Sequence, residues 1–387
     1  DVASERQHFI SLAQHCHTLR VRFPNTLDEV QMLQKLDDSA FACYLLGCFW
    51  YSKRRYDEAV ACWHETLEEA PDYAPAHRLL GVYAWNKQHD SVRAMARLQQ
   101  AVALEPENAR FRFELDYLSK LTGTSVSERL RHLEENLAVA LKRDDLTAEL
   151  LSLWNSCGRY ADAAHILRTR EFHPWEGGEG KVTGQYLLNQ LHSALQAIER
   201  RTFPQAIQYL EEALCYPYNL GEGRLPGQTD NDIWYLLGHC ATQSGETEQA
   251  TAYYRRALQG GTTLNAGRYY NDQPADYLFW QGMAMRQCGN EAQAVQHFQN
   301  FIAWAQCHKD NVPQADFFAV SLPDLVVLDV PAAQQHQQHC LFIEALGHLG
   351  LGNITDYQRA LLQLLAINPA HDKAHLISHA LQSGIFS

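Results

Sequence analysis

The sequence predicts an all-α chain of helical hairpins stacked as a solenoid, and three observations lead there. Apolar residues recur at helical spacing in one segment after another. Short Gly-, Pro- or Asn-containing breaks divide those segments at hairpin intervals. A Leu-Gly, Ala, large apolar, Pro order returns several times in phase. The expected form is a right-handed superhelix of about seven to nine hairpins. At 387 residues, 46% of them hydrophobic, the chain can bury a core of that size.

Taken in order, Ser4 to Phe23 reads as one amphipathic helix, with Phe9, Ile10, Leu12, Ala13, Cys16 and Leu19 on one stripe. Pro24-Asn25-Thr26 breaks it, and Leu27 to Leu36 follows as a second helix. From Ala42 to Pro71, Leu46-Gly47 precedes Trp50, Ala59, Trp63 and the terminating Pro71. Leu80-Gly81, Ala94, Leu98, Ala101 and Pro106 repeat that order. Gly and Ala sit where two helices cross closely, large side chains fill the space beside them, and Pro ends the pair. Two degenerate pairs follow, Phe111 to Leu121 with Val126 to Leu141, and Ala148 to Ser156 with Tyr160 to Thr169.

After a loop comes a helix from Val182 to Arg200, with its partner opening at Phe203-Pro204-Gln205-Ala206. The cleanest copy is Trp234, Leu237-Gly238, Ala241, Ala250, Tyr254 and Ala257. Leu278, Gly282, Met285, Ala294, Phe298 and Phe301 make another. A last hairpin spans Gln337 to Leu349 and Thr355 to Ile367, ending at Asn368-Pro369, and the helix from His371 to Gln382 reads as a terminal cap. This order of residues resembles the tetratricopeptide-repeat superfamily over nearly the whole chain, whose period is about 34 residues. The division expected is N-terminal repeats over 1–169, a Gly/Trp/Glu loop at 170–181 that is not a separate domain, and C-terminal repeats with long loops and the cap over 182–387.

The chain departs from a regular array in one topological slot. Four connectors between consecutive hairpins swell to inserts: Arg170–Lys181, Cys215–Asp230, Gln259–Pro274 and Gln306–Pro331. Equivalent loops of stacked hairpins project from one edge, so the four are expected to meet as a rim. The first carries His173, Trp175, Glu176 and Glu179, and the second Tyr216, Tyr218, Asn219, Glu222, Arg224 and Asp230, with Asp232 just beyond. The third carries Asn265, Arg268, Tyr269, Tyr270, Asn271 and Asp272, and the fourth His308, Asp310, Phe317, Phe318 and Asp324. Flat rings, carboxylates and amides on a rigid edge suit a partner protein's loop or a polyhydroxylated sugar. Each of these residues also has a structural reading: Glu176 and Glu179 bonding their own loop, Arg224 pairing with Glu222 or Glu179, and the rings plugging gaps between hairpins.

The run Arg170-Glu171-Phe172-His173-Pro174-Trp175-Glu176-Gly177-Gly178-Glu179-Gly180-Lys181-Val182 resembles a motif of large bacterial proteins of unassigned function. Those proteins end in tetratricopeptide-like repeats and carry an N-terminal half similar to a mutarotase-type β-sandwich. The resemblance implies that this chain is their C-terminal repeat region, with a carbohydrate-handling domain as neighbour. No β-sandwich pattern occurs in this chain, so no sugar chemistry transfers to its residues.

Glu176, Glu179, Glu222 and Asp232 invite a two-carboxylate glycosidase reading, with Glu176 and Glu179 the foremost candidates, Trp175 and Tyr269 as stacking faces, and Arg224 as a polar contact. Separation along the sequence gives no separation in space, and catalysis by this chain alone is disfavoured. His15-Cys16-His17 alternates on a helix and cannot converge. His336, His339 and Cys340 share a face, yet 19 histidines make such spacing common, so no metal or cofactor is expected. On the inward helix positions lie Tyr44, Trp85, Tyr235, His239 and Phe279, an aromatic groove fit for a helix, an extended segment or the protein's own other domain. A net charge of −13 repels phosphate backbones, which argues against nucleic acid, and no apolar stretch approaches a membrane span. Ten cysteines scattered in helical patterns without a CxxC read as reduced thiols of a cytoplasmic protein. The favoured function is an interaction scaffold whose rim and groove dock a partner protein or the chain's own N-terminal domain. Direct carbohydrate binding or processing at the rim is the alternative.

Overall fold

The computed structural model describes residues 24–36, 39–267, 272–312 and 327–386. Among them every regular element is helical, with no strand. The expected helix Ser4–Phe23 and the His15-Cys16-His17 triplet lie outside the described residues. The helices are α1 (Leu27–Gln34), α2 (Ala40–Ser52), α3 (Tyr56–Glu69), α4 (Ala74–Asn86), α5 (Ser91–Leu104), α6 (Ala109–Leu121), α7 (Val126–Glu134), α8 (Leu137–Ala140), α9 (Asp144–Ser156) and α10 (Tyr160–Thr169). They continue as α11 (Lys181–Glu199), α12 (Phe203–Ala213), α13 (Asn231–Gln243), α14 (Thr247–Arg256), α15 (Ala275–Gln287), α16 (Glu291–His308), α17 (Ala332–Gly350), α18 (Ile354–Ile367) and α19 (Asp372–Gln382). Sequential pairs pack as hairpins: α2 with α3, α4 with α5, α9 with α10, and each pair from α11 with α12 to α17 with α18.

One device sets the crossing of four of the hairpins. A glycine on the first helix lies under a large side chain of the second. A Cβ on Gly47 would stand 2.4 Å from Trp63, on Gly81 3.1 Å from Leu98, on Gly238 2.7 Å from Tyr254 and on Gly282 2.5 Å from Phe298. Those four partners are themselves in the core. The repeat pattern read from the sequence is therefore a close helix approach filled by one bulky residue. The expected continuous helix Val126–Leu141 is broken instead, because Asn136 leaves helical backbone (φ −129°, ψ 38°) between α7 and α8.

The chain divides into two compact units, one of residues 1–118 with 327–329, the other of 119–326 with 330–387. In the first, Arg78 makes two 2.6 Å hydrogen bonds to the buried carboxylate of Glu114, which also accepts from Arg110. In the second, Glu149 sits between Lys120 (2.9 Å) and Arg129 (3.0 Å). Burial alone would raise its pKa, but the two cations hold it down to about 2.

The C-terminal helix α19 meets α18 through the Tyr357 and Ser378 hydroxyls at 3.1 Å and packs chiefly across α9 and α11. Asp372 accepts from Ser152 of α9 and Gln185 of α11, both at 2.7 Å. Lys373 pairs with Asp276 of α15 at 2.7 Å, and His379 stacks in a column with His192 of α11 and Tyr160. Past the helix, Phe386 sits edge-on to Phe279 at 5.4 Å and against Trp280 at 5.3 Å. The helix is thus a ligand of the first helices of several hairpins, held by both apolar and charged contacts.

Candidate docking surface

The rim begins at the end of α10. There the Arg170 guanidinium reaches back to Asp144 (2.6 Å) and to the carbonyl of Leu141, and it lies over the ring of buried Phe172. The Phe172 amide donates to the carbonyl of Asn219 at 2.8 Å. The Asn219 side chain returns two bonds, to the carbonyls of Leu167 (2.9 Å) and Arg170 (2.7 Å), which the helix end leaves without intrahelical partners. Gly221 makes the close approach possible: it has φ +78°, and a Cβ there would stand 2.5 Å from the Phe172 oxygen. Farther along, the Trp175 indole folds over Gly178, where a Cβ would come within 2.0 Å of the ring. Glu222 of the second insert then accepts from the Gly180 amide (3.0 Å) and the Thr183 hydroxyl (3.3 Å). A carboxylate at the start of α11 is well placed against the helix dipole. The first two inserts are therefore tied together at both ends.

The same device recurs one hairpin on. Asn231 donates to the carbonyls of Ala257 and Gln259, both at 2.8 Å, and Gln281 donates to Gln259 at 2.6 Å. The third insert is joined in turn to α17, where the His339 ring nitrogen meets the Asn265 carbonyl at 2.9 Å. The fourth insert departs from the series. Its base is held by His336 on the His308 carbonyl (2.6 Å), but its described end, Val327–Asp329, belongs to the first unit. Arg268, Tyr269, Tyr270, Asn271, Phe317, Phe318 and Asp324 lie outside the described residues.

The candidate residues sort into two groups. His173, with 81% of its side chain exposed, and Glu176 and Glu179 face outward, and Trp175 is half-buried beside them. On the second insert Tyr218 is fully exposed on a 3-10 turn, and Leu225 is exposed too. Glu222, Arg224 and Asp232 are engaged within the fold. Arg224 binds the Leu214 carbonyl at 2.6 Å and pairs with Asp230, rather than with Glu222 or Glu179. Asp232 is 2% exposed. Burial pushes its pKa up to about 7, Asp276 and Asp230 add to the rise, and Lys373 opposes it. Asp272 is half-buried.

Two residues expected in an open groove are core instead. Tyr235 is 1% and Phe279 0% exposed, because Trp280 and the returning Phe386 cover them. His239 is half-buried, and burial lowers its pKa. Tyr44 is half-buried edge-on to Tyr73 at 5.1 Å, and Trp85 is half-buried in the first unit.

A cleft of about 430 Å³ opens beside the rim, lined among others by Arg168, Tyr186, Gln190, Glu212 and Tyr216. Its polar atoms bond one another: Gln190 donates to Glu212 (2.9 Å) and Tyr186 donates to the Glu212 carbonyl (3.0 Å). His336 and His339 each direct a ring nitrogen to a carbonyl, and Cys340 lies 3.5 Å from His336. Among the described residues no group of three or more His, Cys, Asp or Glu could hold a metal ion. No described helix is long and apolar enough to cross a membrane. Sequence reasoning missed the amide clamps of Asn219, whose partners lie in the preceding hairpin, and of Asn231, whose partners lie past the far end of its own hairpin. The only local signal is an Asn beside a helix boundary.

Residues 232–259 match the family model described as Tetratricopeptide repeat, which is the stretch where the repeat order is cleanest. Among solved structures, the chain is similar to Naa15/Naa10 bound to HypK, at 12% identity and TM-score 0.40, with 99% of this chain and 62% of that one covered. It is similar to human IFIT1 in a dimer with PPP-AAAA, at 16% identity and TM-score 0.34, with 93% and 77% covered. It is also similar to pilF of Pseudomonas aeruginosa, at 16% identity and TM-score 0.28, with 69% and 92% covered. At these scores nothing about the ligands of those proteins carries over. The fold is a tetratricopeptide-like array of helical hairpins.

Proposed function

We propose that this chain is a non-catalytic interaction scaffold, and that the joined first and second inserts are its docking surface. The observation that carries this reading is the contrast between how the inserts are held and what they present. Asn219 and Glu222 fasten them, while Tyr218, Leu225, His173 and the edge of Trp175 point to solvent. Aromatic side chains on a rigid loop lose little freedom on binding and make efficient anchors. The carboxylates considered for sugar chemistry give less support to turnover, since Glu222 caps α11 and Asp232 is buried. The partner is a protein surface, and the resemblance of the Arg170–Val182 motif makes a carbohydrate-handling domain the first candidate.

A photo-crosslinker at position 218 tests the reading against one at Leu362, an exposed residue of α18. Crosslinking to one partner from 218 only, lost in Trp175→Ala, is the expected result. Equal crosslinking from both positions rejects it. Calorimetry with a panel of mono- and oligosaccharides separates the alternative: specific heat of binding that disappears in Trp175→Ala would make the rim itself a carbohydrate site.

A further inference from the structure

The cleft of about 430 Å³ beside the rim is lined by two opposite charges that do not pair. Arg168, exposed on the last turn of α10, makes no hydrogen bond or ion pair among the described residues. Glu212, near the end of α12, has no cation partner among them either. Its carboxylate oxygens accept only from the amides of Gln208 (2.8 Å) and Gln190 (2.9 Å). Two further lining residues are buried amides on α11: Asn189 is 2% and Gln190 6% exposed. Asn189 donates to the Asn155 side-chain oxygen (3.0 Å) and the Tyr160 carbonyl (2.9 Å). Gln190 donates to the Tyr186 hydroxyl (3.2 Å) and to Glu212. Both hydrogens of each amide are thereby used, while neither amide oxygen accepts a hydrogen bond from the protein and neither is sealed from solvent.

Acceptor oxygens without donors, next to a carboxylate, suit a ligand that brings several N–H donors and a positive charge, which a primary ammonium does. An unpaired guanidinium in the same cleft suits a carboxylate, which it can take through two parallel bonds. Ala164, Leu167 and Pro217 make part of the remaining wall apolar. The volume falls at the lower end of the about 300–1,000 Å³ usual for small-molecule sites. We propose that this cleft binds a free α-amino acid with an apolar side chain, its ammonium held by Glu212 and the Asn189 and Gln190 oxygens, and its carboxylate by Arg168. The inference goes beyond the docking surface, since none of His173, Trp175, Tyr218 and Leu225 lines the cleft.

The test is calorimetry on the full chain with L-leucine, aspartate and two analogues of leucine that each lack one charge. N-acetyl-leucine has no ammonium, and 3-methylbutylamine has no carboxylate. Leucine should bind, and aspartate and both analogues should bind about tenfold or more weaker. Arg168→Ala and Glu212→Gln, both at exposed positions, should each weaken leucine by a similar factor, and Arg168→Ala should leave 3-methylbutylamine unchanged. A second readout needs no variant. Cys215 is exposed and lines the cleft, so leucine should slow its alkylation by N-ethylmaleimide, while the exposed Cys157 and Cys307 react at their usual rates. The proposal is overturned if leucine neither binds nor protects Cys215, or if either analogue binds as tightly as leucine. It is also overturned if folded Arg168→Ala and Glu212→Gln keep the wild-type affinity. The crosslinking result at position 218 is independent of each of these outcomes.

Discussion

Replacing Lys373 with Met tests the seating of α19 most sharply. The Lys373 ammonium lies 2.7 Å from Asp276, and it also acts on Asp232; both carboxylates are 2% exposed. The pair is close but poorly directed, since the same Asp276 oxygen has no hydrogen bond of good geometry. The distance and the burial therefore decide the energetics. Removing one partner of a buried ion pair costs about 3–5 kcal/mol, because the remaining charge is left in a medium that solvates it poorly. Lys373→Met should lose that amount in urea unfolding at pH 8. Asp232 titrates near 7 in the folded chain with Lys373 present, and losing the cation raises it further. A carboxyl whose folded pKa is raised contributes stability below its unfolded pKa and loses it as pH rises through the folded value. The penalty should therefore shrink between pH 8 and pH 6. Asp276→Asn in the Lys373→Met background should restore most of the stability, giving a coupling energy of about 2 kcal/mol or more in the double-mutant cycle. A Lys373→Met variant within about 0.5 kcal/mol of wild type, or strictly additive single effects, would refute the reasoning.

Two further outcomes follow from the same contacts. Burial lowers His192 to about 3 and His371 to about 4, so below pH 6.5 the unfolded chain takes up protons that the folded chain refuses. At pH 5 His192 alone should cost about 2 kcal/mol, from about 1.4 kcal/mol per pH unit, and His192→Gln should flatten the pH dependence of the urea midpoint. Asn219→Ala leaves the Leu167 and Arg170 carbonyls without their donor and should cost about 1–3 kcal/mol. Protease should then cut within 170–181 faster while far-UV circular dichroism stays unchanged.

The hairpins were legible because their cause is local. Gly47 with Trp63 and Gly238 with Tyr254 are one packing decision repeated, and the sequence shows both members at fixed spacing. Helix ends followed the same logic, as at Pro71 just past the end of α3. The location of α19 was not legible. Its apolar stripe shows that one face is buried but not which partner buries it, and Asp232, Asp276 and Lys373 are far apart in the chain. Tyr235 and Phe279 were read as groove residues for that reason: their helix face does turn inward, but Phe386 returns from the far end to cover it. On the rim, the glycines and aromatics announced an unusual loop. Which carboxylate would cap a helix and which would face solvent depended on the neighbouring insert, and Glu222 differs from Glu179 only in what lies opposite it.

Amide hydrogen exchange on the intact chain tests the central claim most directly, because Phe172 and Gly180 donate their amides across the two inserts and α19 lies against helices remote in sequence. Inserts that form one fastened surface predict that these two amides, together with the interior amides of α19, exchange as slowly as those of α11 and α13. Exchange of Phe172 and Gly180 within seconds, while α11 and α13 stay protected, would mean that the inserts move independently, and the docking surface would then have no fixed form.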